Sequence, residues 1–196
     1  MVTPEMTQQS PSARISLPCH AGPEAVYDLL ADLRTHLDWG GTRQRRDFRL
    51  LTLHAPPGPA GVGATFSSTG TIPMSVRHWE DRSTVTAADR ARVFEFITDA
   101  SNGGARGMRA RYRHRYELAP EASGSRVTYT ITQLEVAHPM LRMALPAITD
   151  LTWGMAIPML CGRGLRNLLV LAERNALSAT SAQPPNPIGS IHAKEI

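Results

Sequence analysis

The stretch Met108-Arg109-Ala110-Arg111-Tyr112-Arg113-His114-Arg115-Tyr116-Glu117-Leu118 alternates without a break. Successive side chains of a strand point to opposite faces, so Met108, Ala110, Tyr112, His114, Tyr116 and Leu118 share one side and Arg109, Arg111, Arg113, Arg115 and Glu117 the other. The first face belongs inside. A strand with one wet and one buried face is the mark of an antiparallel sheet laid over a core. The segment Arg126 to Glu135 repeats the pattern, with Val127, Tyr129, Ile131 and Gln133 on one side and Arg126, Thr128, Thr130 and Thr132 on the other. Between the two, Glu121-Ala122-Ser123-Gly124 supplies turn residues that tolerate a reversal, which makes the pair antiparallel neighbours.

Upstream, further strands are predicted at Ala13 to Cys19, Gln44 to His54, Gly63 to Ser68, Arg77 to Ala87 and Arg92 to Asp99. The Pro56-Pro57-Gly58-Pro59 cluster and Ser101-Asn102-Gly103-Gly104 punctuate them. Helical spacing is confined to the two ends. Val26, Leu29, Leu30 and Leu33 follow Gly22-Pro23-Glu24, where proline and an acid in the first turn suit a helix start, and the Gly40-Gly41 pair ends the segment beside Trp39. Leu165, Leu168, Leu169, Ala172 and Ala176 form the stripe of a long closing helix, which Pro146 and Pro158 should break or kink in its N-terminal part. The order predicts an α+β fold in which a sheet curls around the long helix and leaves space between two layers. We place this domain at residues 13–176, with a flexible leader at 1–12 and a disordered tail, rich in Ser, Ala, Pro and Asn, at 177–196.

Composition agrees with a single domain: 196 residues, 42% apolar and 19% charged. The formal charge of +4 invites a nucleic-acid reading, but the densest basic run alternates strictly and so covers one solvated sheet face instead of tracking phosphates. No nucleic acid is expected as a partner. The apolar region Met140 to Ala172 carries Arg142, Asp150, Arg163 and Arg166, which leaves no uncharged stretch to span a bilayer. Cys19 and Cys161 stand far apart as buried thiols of a reducing compartment, and Met1 to Ser12 lacks the pattern of a signal peptide, so a cytoplasmic location is expected. Nothing in the sequence assigns an oligomeric state.

The run Gly22-Pro23-Glu24-Ala25-Val26-Tyr27-Asp28-Leu29-Leu30-Ala31-Asp32 with His36-Leu37-Asp38-Trp39 resembles the opening of proteins of the SRPBCC, or START-like, superfamily. Gly61 to Phe66, Trp79 with Ser83 to Thr86, Val93 to Phe96, Arg113 to Leu118 and Ser125 to Thr128 resemble that superfamily's strands in order, so the likeness runs over about residues 13–176. It implies a helix-grip fold, a curved antiparallel sheet wrapped around a long C-terminal helix with a deep cavity between them. Members include polyketide cyclases, aromatases and lipid carriers. They share no universal catalytic motif, so the resemblance assigns no catalytic residue.

Candidate site residues therefore come from the strand faces. The inward sides carry Tyr112, His114, Tyr116, Tyr129 and Gln133, polar groups among apolar walls, and Trp79, Phe94, Phe96 and Met143 complete the expected cavity lining. An inward tyrosine also serves as plain core once its hydroxyl is bonded, and a satisfied core histidine competes with a functional one. His114 is the candidate catalytic group because an imidazole donates, accepts and ordinarily titrates near neutral pH. The parity of Val85 directs Ser83, Asp81, Trp79 and Arg77 inward, with Arg77 and Asp81 read as a salt bridge at the rim.

Cofactor and metal motifs are absent. Gly58-Pro59-Ala60-Gly61-Val62-Gly63 leads into a strand and lacks the helix N-terminus of a phosphate loop, and the seven histidines show no HxxxH or HExxH spacing. The leading expectation is binding of a hydrophobic small molecule, a lipid, polyketide or aromatic metabolite. The alternative is a cofactor-independent polyketide cyclase, aromatase or dehydratase that works by positioning and by proton transfer at His114. A third reading, an interaction module that offers its basic face to an acidic partner, rests on net charge alone.

Overall fold

A computed structural model describes residues 10–40, 49–71, 78–102, 109–137 and 152–181 of the chain. Its seven strands are β1 (Ser12–Cys19), β2 (Arg49–His54), β3 (Thr65–Thr71), β4 (His78–Asp89), β5 (Val93–Ser101), β6 (Arg109–Glu121) and β7 (Gly124–Ala137). They form one antiparallel sheet in the order β1-β7-β6-β5-β4-β3-β2, a meander from β2 to β7 with the first strand returned to the far edge. Each predicted strand is present. Register shifts at Leu50/Thr52, Val85/Ala87 and Arg111/Tyr112 mark irregularities of the kind that bend a strand and increase its twist, and they help the sheet to curve.

Two helical segments follow β1. Helix α1 (Pro23–Ala31) starts with the predicted proline and buries Val26, Leu29 and Leu30, and a 3-10 turn (Leu33–Thr35) leads into the short α2 (His36–Trp39). The closing helix, α3 (Ile157–Ser181), follows a π-helical turn at Thr152–Ala156. Pro158 sits in the first turn of α3, where its missing N–H costs least, and the irregular turn lies just before it. Leu165, Leu168, Leu169 and Ala172 are all buried and form the core's spine with the inward residues of the sheet. By length and composition 153–179 is apolar enough to cross a membrane, and its buried stripe shows what that apolarity serves here, the packing of a core helix.

The strands shift by a few residues from the predicted ranges, and the first strand and last helix reach beyond 13–176. The sheet begins at Ser12, and α3 runs past Leu177 to Ser181, where Ser178 and Ser181 hydroxyls donate back to the carbonyls of Arg174 and Leu177. Such local bonds extend an exposed last turn without any apolar period, which is why the pattern ended earlier than the helix. The rest of the predicted tail, most of the leader, Arg77, Met143 and Pro146 lie outside the described residues.

The β6–β7 turn is tied to the edge strand by a close approach. Gly124 has φ of +139°, and a Cβ there would collide with the Cys19 carbonyl and the His20 backbone, so no other residue fits. On the outer face two arginines of β6 are met by acids of β5: Arg115 bonds Glu95 at 3.1 Å and Arg111 approaches Asp99 at 3.5 Å.

Candidate functional site

Cross-strand register arranges the inward residues in rows. Ala88, Phe94, Tyr116 and Tyr129 lie in one row, and Val85, Phe96, His114 and Ile131 in the next. Ser83, Thr98 and Tyr112 follow, and then Asp81 with Ala100 and Ser68, with Trp79 beside Gly70 at the far end. Helix α1 closes the first end, where the Tyr27 ring meets Phe94 edge-on at 6.0 Å. Helix α3 lies across the rows and leaves a cavity of about 380 Å³ between itself and the sheet. That is within the range of small-molecule pockets. Ile157, Leu160, Cys161, Gly164 and Leu165 form its helical wall.

At the end near α1 both histidines and Tyr129 have partners within the protein. His36 is buried, and its Nε2–H donates to the Leu30 carbonyl at 3.1 Å, which leaves Nδ1 as an acceptor. His114 lies flat on Phe96, with centroids 4.7 Å apart and planes 14° apart, and its Nδ1 shares a hydrogen bond of 2.7 Å with the Tyr129 hydroxyl. The Cys161 thiol stands beside that hydroxyl. Burial pushes both imidazoles down to about 4, with His36 adding to the effect at His114. Both are therefore neutral near pH 7, a departure from the expectation that His114 titrates there. Burial also raises the Tyr116 and Tyr129 hydroxyls and lifts the Cys161 thiol to about 11, so none of the three ionises at neutral pH.

The opposite end is different. Ser83 and Thr98 bond each other at 2.8 Å, but Asp81, next along β4, has no ion pair or hydrogen bond among the described residues. Burial raises its carboxyl to about 6. The Asp81 side chain lines the cavity, and Arg77, its expected salt-bridge partner, lies outside the described residues. Two residues along the same face, the Trp79 indole Nε1 is buried and has no acceptor among the described residues. Tyr112 completes this end, its hydroxyl raised chiefly by burial and then by the Asp81 charge, with the Trp153 ring 6.4 Å away.

No family model matches the chain, and neither does any curated protein. Solved structures do match it. A protein of Rhizobium leguminosarum aligns with a TM-score of 0.62 at 13% identity, over 83% of this chain and 94% of its own. A conserved protein of Geobacillus kaustophilus gives 0.61 at 12%, over 84% and 95%, and one of Mycobacterium smegmatis 0.58 at 13%, over 83% and 90%. The fold is a helix grip. At these identities the likeness carries the fold alone.

Of the predicted lining residues, Trp79, Phe96, Tyr112, His114, Tyr116 and Tyr129 meet at one cavity. Phe94 does not line it. It is fully buried against Tyr27 because α1 covers that end of its row, and it belongs to the core. Gln133 pairs with Tyr112 but stays outside the lining, and its backbone N–H donates to Pro11 at the edge of β1. Met143 lies outside the described residues. The sequence reading missed His36 as a lining residue, because it follows a 3-10 turn where no helical or strand period applies. Cys161 carried a usable signal, since it stands one turn before Leu165 on the predicted stripe.

Proposed function

We propose that this protein binds a hydrophobic small molecule, a lipid, polyketide or aromatic metabolite, in the cavity between the sheet and α3, as polyketide cyclase-like members of the SRPBCC superfamily do. The observation that carries this reading is the cavity itself. Aromatic and aliphatic walls surround about 380 Å³, and among the described lining residues only Asp81 bears a formal charge at neutral pH. Apolar walls supply affinity while a few fixed polar groups set orientation. Mass spectrometry of small molecules released from the purified protein tests it: a stoichiometric apolar occupant supports the reading. Failure of naphthalene-sized apolar probes to bind, in calorimetry on the emptied protein, would end it. The free thiols Cys19 and Cys161 suit a reducing compartment, and we place the protein in the cytoplasm.

The second reading is a cofactor-independent cyclase or dehydratase. The bond of 2.7 Å from His114 to Tyr129 favours it, because an imidazole held in place by a phenol beside an apolar substrate can take or hand on a proton. His114→Gln keeps polarity and approximate size. With a polyketide-like substrate it should lower turnover by roughly a hundredfold while affinity changes much less. Unchanged turnover would remove His114 from the chemistry.

A further inference from the structure

We propose that Trp79 and Asp81 form a recognition pair on β4 that selects an uncharged ligand carrying both a hydroxyl and a carbonyl oxygen, and that turns away anionic amphiphiles such as fatty acids. This rests on the cavity-binding reading above and narrows it.

Two residues apart on one strand, the side chains of Trp79 and Asp81 line the same cavity from the same face, with backbones roughly 7 Å apart. They are of opposite hydrogen-bonding character. An indole N–H only donates, and a carboxylate only accepts. Neither has a partner among the described residues, whereas several other polar side chains of the cavity do: Ser83 with Thr98, His114 with Tyr129, His36 with Leu30. A buried donor or acceptor left unmade costs on the order of 1 to 3 kcal/mol. A buried indole N–H without an acceptor, beside a cavity-lining carboxyl without a cation among the described residues, marks where a ligand supplies the missing bonds.

The chemistry of the pair narrows the ligand. A protonated amine offers only donors and leaves the Trp79 N–H unmade, while a plain ketone answers Trp79 and leaves Asp81 bare. A carboxylate brings a second negative charge beside Asp81 in a poorly solvated space, where like charges repel strongly. A ligand with a carbonyl oxygen for Trp79 and a hydroxyl for Asp81 satisfies both groups. Hydroxy-aryl ketones and the enol forms of polyketones have this pattern.

Calorimetric titration at pH 8 with three naphthalene probes of similar size tests the pair. The probes are 3-acetyl-1-naphthol, 2-acetylnaphthalene and 4-hydroxy-2-naphthoate. The hydroxy ketone should bind roughly tenfold or more tightly than either of the others, the factor expected for one hydrogen bond to a charged group. Asp81→Leu should erase most of the advantage over the plain ketone, Trp79→Phe should weaken both ketones by a similar factor, and Asp81→Asn should raise naphthoate affinity by removing the charge. Thermal unfolding of each variant confirms an intact fold. If wild-type protein binds all three probes within threefold of one another, the pair does not select, and the inference is overturned while the cavity reading stands. If none of the three binds, the cavity reading is lost and the inference with it.

Discussion

The two ends of the cavity are built from the same kinds of residue and stand in opposite states. Near α1, His36, His114 and Tyr129 bond within the protein, and Phe94, Phe96 and Tyr116 pack ring against ring. Near Trp79 and Asp81, a donor and a carboxyl face the cavity without partners among the described residues. Polar groups satisfied inside the protein hold the fold, whereas unsatisfied ones lower its stability and are kept for another use. The first end is scaffold. The second is where we look for the ligand.

The largest effect that would break this contrast lies in the packing. Phe94 is fully buried, and Phe94→Ala should cost about 3 to 5 kcal/mol of unfolding free energy in urea. Trp79→Phe, which keeps most of the ring and removes an unpaired N–H, should cost less than about 1 kcal/mol. Comparable losses from the two would mean that the Trp79 end is core as well.

Acid titration separates the ends next. Both imidazoles fall to about 4 in the folded chain from an ordinary 6.5, so the unfolded chain takes up their protons first. Their contribution is complete above about pH 6.5 and is lost as pH falls through 4, by up to about 3 kcal/mol each. His114→Gln should remove one share of that acid sensitivity in denaturation measured from pH 7 to 4. An unchanged pH profile would show that His114 is solvated.

Asp81 has the opposite sign. Its carboxyl holds its proton up to about 6 in the folded chain against 3.8 in the unfolded one, so its burial costs nothing below about pH 4 and destabilises as pH rises through 6. Asp81→Asn should therefore stabilise the ligand-free protein at pH 8 by about 1 to 3 kcal/mol and leave it unchanged at pH 4. A loss of stability at pH 8 would reveal a cation beside Asp81. The outer face gives the smallest effect. Arg111→Ala and Arg113→Ala should each shift stability by less than about 0.5 kcal/mol, since both side chains are exposed and the Arg111–Asp99 pair is open to solvent.

Much of this architecture was legible in the chain. Unbroken alternation at 108–118 fixed which face of β6 is buried, since a period of two leaves no freedom once one side is charged, whereas on β7 Thr128 and Thr132 of the opposite face are buried as well. The stripe of Leu165, Leu168, Leu169 and Ala172 fixed the buried side of α3 in the same way. Parity also put Trp79, Asp81 and Ser83 inward, and the register shift at Val85/Ala87 falls beyond them and leaves that parity intact.

What the sequence determined by itself was therefore the order of elements and the facing of each, because both follow from local periodicity and turn chemistry. Only the tertiary structure decided which inward residues meet empty space and which meet each other. Phe94 and Phe96 have the same parity, yet α1 covers one and leaves the other on the cavity. Tyr129 found His114, and Asp81 found no cation among the described residues, because pairing depends on distances across separate strands and on the helix laid over them. Periodicity along a chain sets a side chain's direction, and the element packed opposite sets its partner.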